Sequence, residues 1–104
     1  MWIVINNNLS MAEGDWGIQL PITITGTTFA ANDSVRVTIK SGETTVIQKD
    51  YTDITNNTVN LELTEAESAL LHVGSYLYSL DWYQDGAFMC NIIPSAAIKV
   101  VDKA

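Results

Sequence analysis

Apolar and polar side chains alternate along most of this chain. Leu20, Ile22 and Ile24 are set against Gln19, Thr23 and Thr25, and Val35, Val37 and Ile39 against Arg36, Thr38 and Lys40. Val59, Leu61 and Leu63 alternate with Thr58, Asn60 and Glu62. Tyr76, Tyr78, Leu80 and Trp82 alternate, less cleanly, with Ser75, Leu77, Ser79 and Asp81. A period of two turns one face of each segment to a core and the other to solvent, so each predicts a strand of an antiparallel sheet. Flatter segments at Trp2–Asn6, Thr44–Tyr51, Ala87–Ile93 and Ala97–Val101 are further strand candidates in a chain rich in Ile, Val and Thr.

The separators are turn chemistry. Gly26, Ala31-Asn32-Asp33-Ser34, Ser41-Gly42-Glu43 and Asn56-Asn57 each fall between two predicted strands. Gln84-Asp85-Gly86 is the strongest hairpin signal, because an Asp-Gly pair tolerates the positive φ of a tight primed turn. Pro94 predicts a bend or a switch between sheets. One segment departs from the strand pattern. Thr64-Glu65-Ala66-Glu67-Ser68-Ala69-Leu70-Leu71 has the spacing of a capping box, acids in its first turn and an apolar face of Ala66, Leu70 and Leu71, with Gly74 beyond it. It predicts a helix of about two turns. The whole reads as an all-β, immunoglobulin-like antiparallel β-sandwich of about 7–9 strands in a single domain, with one short helix near residues 64–71. The Cys…Trp…Cys signature of antibody domains is missing, so the likeness is one of architecture. A small open barrel is the alternative.

Composition narrows the function. The chain has 104 residues, 47% of them hydrophobic and 16% charged, with 5 Lys+Arg against 12 Asp+Glu and a net charge of −7. Arg36, Lys40, Lys49, Lys99 and Lys103 are scattered, which argues against nucleic acid and against an anionic membrane surface as partners. Cys90 is the single cysteine and excludes an intrachain disulfide. Neither a signal peptide nor a membrane span is legible, so the chain is expected to be cytoplasmic when made. The Asn-x-Ser/Thr sequons at Asn8, Asn32 and Asn56 read as chance in so Asn- and Thr-rich a sequence.

Candidate chemistry is sparse. His72, the only histidine, has no placed Ser, Cys or carboxylate and reads as structural. Cys90 lies in the apolar run Ala87-Phe88-Met89-Cys90-Asn91-Ile92, far in sequence from any base, and is expected to be buried as a small hydrophobe. Together they fall short of a zinc site, and the acids lack calcium-loop spacing, so no metal is predicted. Glu13-Gly14-Asp15-Trp16-Gly17 lacks the Lys and following helix of a phosphate loop. No catalytic residue and no cofactor is assigned, and the chain reads as non-enzymatic. The aromatics are better candidates for binding. Trp82 is expected to fill the core, whereas Trp16, between two glycines and beside acids, suits a contact position. Trp2, with Ile3, Val4 and Ile5, forms a terminal strand fit to pair with its own sheet or a neighbour's edge. The candidate binding residues are therefore Trp2, Ile3, Val4, Ile5, Glu13, Asp15, Trp16 and Tyr83.

The order of motifs carries one resemblance. Glu13-Gly14-Asp15 leads into Leu20-Pro21-Ile22-Thr23-Ile24, Val35-Arg36-Val37-Thr38-Ile39-Lys40 follows, and Leu63-Thr64-Glu65-Ala66-Glu67 opens the helix. Val73-Gly74-Ser75-Tyr76-Leu77-Tyr78 then leads to the Gln84-Asp85-Gly86 hairpin. Over roughly residues 12–102 this resembles the N-terminal domain of upper baseplate proteins and related tail modules of phages of Gram-positive bacteria. The resemblance implies an immunoglobulin-like sandwich that attaches receptor-binding proteins to a tail. It implies a partner that is another phage tail protein or a second copy of the chain, a virion-associated location, and no catalytic residues. Members of that family continue into a linker and a further domain, so this sequence reads either as a stand-alone virion or prophage protein or as a piece of a larger one. The other reading is a carbohydrate-binding or adhesin-type sandwich that meets cell-wall glycan through Trp16 and Tyr83.

Overall fold

The computed structural model describes residues 2–5, 8–26, 29–52 and 54–102. Eight strands and one short helix follow one another as β1 (Ile3–Ile5), β2 (Asn8–Ala12), β3 (Leu20–Thr23), β4 (Asp33–Ser41), β5 (Thr44–Tyr51), β6 (Thr58–Leu61), α1 (Glu65–Ser68), β7 (Gly74–Gln84) and β8 (Ala87–Val101). They build a six-stranded sheet of order β1-β2-β8-β7-β4-β5 and a two-stranded sheet, β3-β6. In immunoglobulin terms β3 and β6 hold the B and E places and β4, β7 and β8 the C, F and G places, so the sandwich is immunoglobulin-like.

The alternation seen in the sequence is what closes this sandwich. Val35, Val37 and Ile39 of β4, Tyr78 and Leu80 of β7, and Ile98 and Val100 of β8 are buried on one face of the large sheet. Val59 and Leu61 of β6, with Leu63 and Leu71 beyond it, are buried against them from the other layer. Two turns use the chemistry their sequences advertise, one closing the isolated Thr55–Thr58 bridge at the start of β6 and one joining β7 to β8. Asn56 and Asn57 take positive φ of 55° and 53°, and Asp85 and Gly86 take 50° and 81°. Two successive left-handed residues give the primed turn whose twist matches the strands it joins.

Several expectations are corrected. The large sheet is not wholly antiparallel: β2 pairs in parallel with β8, Leu9 opposite Ile98 and Met11 opposite Val100. Strand β2 itself was not expected, although Leu9 and Met11 are buried on the core face. The terminal strand spans Ile3–Ile5, and Asn6 lies outside the described residues. Ala87–Ile93 and Ala97–Val101 belong to one long strand. Pro94 neither ends it nor moves it to the other sheet. It sits where Tyr78 pairs with Ala96 and Leu80 with Ile93, one of three places where β8 carries an extra residue relative to β7. A bulge tolerates a residue without an N–H, and β2 pairs β8 only at Ile98–Val101, so the Pro94 segment has an open side.

The helix is shorter than the two turns expected. The Thr64 hydroxyl accepts from the Glu67 amide, and the Glu67 carboxylate accepts from the Thr64 amide, so the capping box is formed. The helix nevertheless stops at Ser68. Leu71 is buried, but Ala66 and Leu70 are exposed, so the expected three-residue apolar face does not form.

Candidate functional site

Two connections meet at one end of the sandwich. Residues 13–19 join β2 to β3, and residues 62–73 join β6 to β7 through α1. The Gly17 amide donates to the Leu63 carbonyl at 2.9 Å, and the Val73 amide donates to the Glu13 carboxylate at 3.4 Å. The Glu13 amide donates in turn to the Val101 carbonyl at 2.8 Å, which ties the first loop to the end of β8. Gly14 and Gly17, with φ of 88° and 74°, let the loop double back so tightly that Trp16 is turned outward.

Trp2 joins this loop from the terminal strand. Its indole Nε1 donates to the Ile18 carbonyl at 3.1 Å, and its ring packs against the edge of the core. Trp2, Asp15, Trp16 and Ile18 line a shallow crevice floored by Met11 and Leu63. Trp16 stays 53% exposed and Ile18 44% exposed beside it. The structure therefore brings Trp2, Asp15 and Trp16 together. Ile3, Val4 and Ile5 pair with Ser10, Leu9 and Asn8, and β1 is the outermost strand of the large sheet on that side.

Glu13 belongs to the same loop but faces the β6–β7 connection, where its carboxylate lies 3.9 Å from His72 Nδ1. His72 is exposed there. Tyr83 is elsewhere, nine residues along β7 from Gly74, about 30 Å at the rise of a strand. Its ring carries the Arg36 guanidinium 4.4 Å from its centroid and meets the Phe88 ring edge-on at 5.8 Å. Arg36 also grips Asp50 with two nitrogens, at 2.8 and 3.3 Å. One face of Tyr83 is thereby occupied within the molecule.

Sequence reasoning passed over Leu70 and Val73, which are 51% and 56% exposed on the second connection. The run Leu70-Leu71-His72-Val73 carries three apolar side chains past a helix too short to bury them all, and that was the available signal. Cys90 corrects another expectation: it is exposed, opposite Trp82 on the bulged part of β8. Trp82 itself is half-buried and stacks edge-on against Phe29 at 5.3 Å.

Among the described residues, no group of three or more His, Cys, Asp and Glu side chains is placed to hold a metal ion. No helix among them is long and apolar enough to cross a membrane. No protein-family model matches the chain, and neither does any curated protein or solved structure.

Proposed function

We propose that this chain is a non-enzymatic structural or interaction module of a phage or prophage tail, assembling with itself or with another tail protein. One observation carries the reading: Trp16 and Ile18 stand exposed beside Trp2, next to the edge strand β1. A large aromatic side chain held out by a tight loop is the kind of anchor that protein interfaces use, and an edge strand offers unpaired backbone groups beside it. The tail assignment rests on the order of motifs in the sequence, and virion association follows from it. The carbohydrate-binding alternative draws on the same exposed Trp16, but its second ring, Tyr83, is covered on one face by Arg36.

Solution mass by light scattering across a concentration series tests the reading, first on the chain alone and then mixed with the products of neighbouring tail genes. A discrete oligomer or a stoichiometric complex is expected. A monomer at every concentration that ignores those proteins overturns it.

A further inference from the structure

A groove of about 380 Å³ opens on the outer face of the large sheet, over β4, β7 and the bulged part of β8. That volume is in the range of small-molecule sites. Val37 and Ile39 turn to the core, so Thr38 between them turns outward into the groove, where it pairs across the ladder with Ser79 of β7. On the other side Ser79 meets two residues rather than one. The register steps from Tyr78–Ala96 to Leu80–Ile93, and the bulge sets Pro94 and Ser95 at the groove's edge. Bulges re-aim side chains beside sites in this way.

The polar side chains around the groove are not used within the chain. Thr38 is only 8% exposed, yet its hydroxyl has no hydrogen-bond partner among the described residues. A polar side chain so buried is normally bonded, and this one lines a space that a ligand can enter. The Ser79 and Ser95 hydroxyls beside it have no partner among the described residues either. Lys40 and Glu43 flank the Gly42 turn at one end of the groove, and neither forms an ion pair, with the other or with any other described residue.

One cation and one anion leave the groove without net charge, which suits a neutral ligand. Hydroxyls, a donor-only ammonium and an acceptor-only carboxylate match a molecule whose own hydroxyls both donate and accept. Leu77, 45% exposed, and Pro94 supply apolar surface for a C–H face. The geometry points to a neutral mono- or disaccharide, held on this face by Thr38, Ser79, Ser95, Lys40 and Glu43. Neither Trp16 nor Tyr83 lines the groove, and the site does not depend on the assembly reading.

The test titrates the full isotope-labelled chain with methyl α-glucoside, methyl β-galactoside, N-acetylglucosamine, maltose and cellobiose, with glycine and sodium acetate as charged controls. At least one sugar should give saturable NMR shifts at the Thr38, Lys40, Gly42, Ser79 and Ser95 amides, with Kd about 1 mM. Glycine and acetate should give none. Thr38→Val keeps the branched shape that suits a strand and removes the hydroxyl, so it should weaken that sugar about tenfold. Glu43→Gln, on an exposed turn, should weaken it several-fold, with the folding of both variants verified by urea unfolding. The absence of a saturable shift with every sugar overturns the proposal, as does binding undiminished by both substitutions. An equal response to glycine or acetate overturns it in favour of a site for small ions. Shifts confined to Trp16 and Tyr83 overturn it too, and move the sugar to those rings. A stable oligomer that binds no sugar keeps the module and loses this site, whereas a monomer that binds sugar here does the reverse.

Discussion

The Tyr76 hydroxyl accepts a hydrogen bond from the His72 backbone amide at 2.9 Å, pinning the start of β7 to the connection that precedes it. In immunoglobulin-like sandwiches a tyrosine at the start of the F strand closes the E–F corner in this way. Here the corner does two jobs. It fixes where β7 enters the large sheet, and it holds the segment that carries Leu70 and Val73 against the Glu13 loop. Tyr76→Phe keeps the ring and removes the acceptor, so it should cost about 1 kcal/mol, with up to about 3 if the His72 amide is left dry. Urea unfolding measures this. An unchanged midpoint would mean that water replaces the hydroxyl at no cost.

The inter-sheet core should be sensitive to truncation. Leu61 of β6 and Leu80 of β7 are both fully buried, one from each layer. Leu61→Ala or Leu80→Ala should lower unfolding free energy by about 2–5 kcal/mol, because each leaves a cavity as well as losing transfer energy. In a domain with about 5–15 kcal/mol in hand, either loss is a large fraction of the total. A change below about 1 kcal/mol for both would show that the two-stranded layer contributes little.

The capping box links α1 to the opposite sheet and gives stability a pH dependence. Burial alone would raise the Glu67 carboxyl, but the Thr64 amide and Lys49 outweigh it and hold its pKa below the ordinary value. Lys49 shows the mirror case: burial lowers it, Glu67 and Tyr51 raise it, and the net direction is up. For Glu67 the folded value is depressed, so the stabilisation is present above the ordinary carboxylate range and is lost as pH falls through the folded value. For Lys49 the folded value is raised, so its share is present below the ordinary lysine range and is lost as pH rises through the folded value. Glu67→Gln keeps a capping acceptor and removes the charge. It should cost up to about 1 kcal/mol at pH near 7, and the difference from wild type should shrink as pH falls below the ordinary carboxylate range and vanish once the folded chain's Glu67 is protonated. A gap that does not shrink at all as the solution is acidified through the carboxylate range would show that the charge is not its source.

How much of this was legible in the sequence follows from how local each cause is. The strands carrying Val35–Ile39, Val59–Leu61 and Tyr76–Trp82 declare themselves because a period of two needs only neighbouring residues. The primed turns at Asn56-Asn57 and Asp85-Gly86 are equally local. Strand β2 has the same period in Leu9 and Met11, yet it is short, follows a run of asparagines, and takes its parallel partner from the far end of the chain. Its pairing is a tertiary fact. The candidate site divides in the same way. Trp16 stands between two glycines and reads as a loop position, whereas the exposure of Leu70 and Val73 depends on α1 stopping at Ser68. Cys90 looked buried because its neighbours are apolar. It is exposed on the stretch of β8 between Ala87 and Ala96, where three extra residues relative to β7 distort the ladder.

That exposure gives the last prediction. Cys90 is the single thiol, so its reactivity reports on one place in the fold. Accessible to solvent on the bulged part of β8, it should react with a soluble aromatic disulfide in the native protein, one equivalent per chain, without denaturant. It pairs opposite Trp82, whose half-buried ring is stacked against Phe29. Labelling should therefore change tryptophan emission while far-ultraviolet circular dichroism stays constant. A thiol that reacts only after unfolding would show that the Ala87–Ala96 stretch is packed against another part of the chain, and the open side assigned to it here would be wrong.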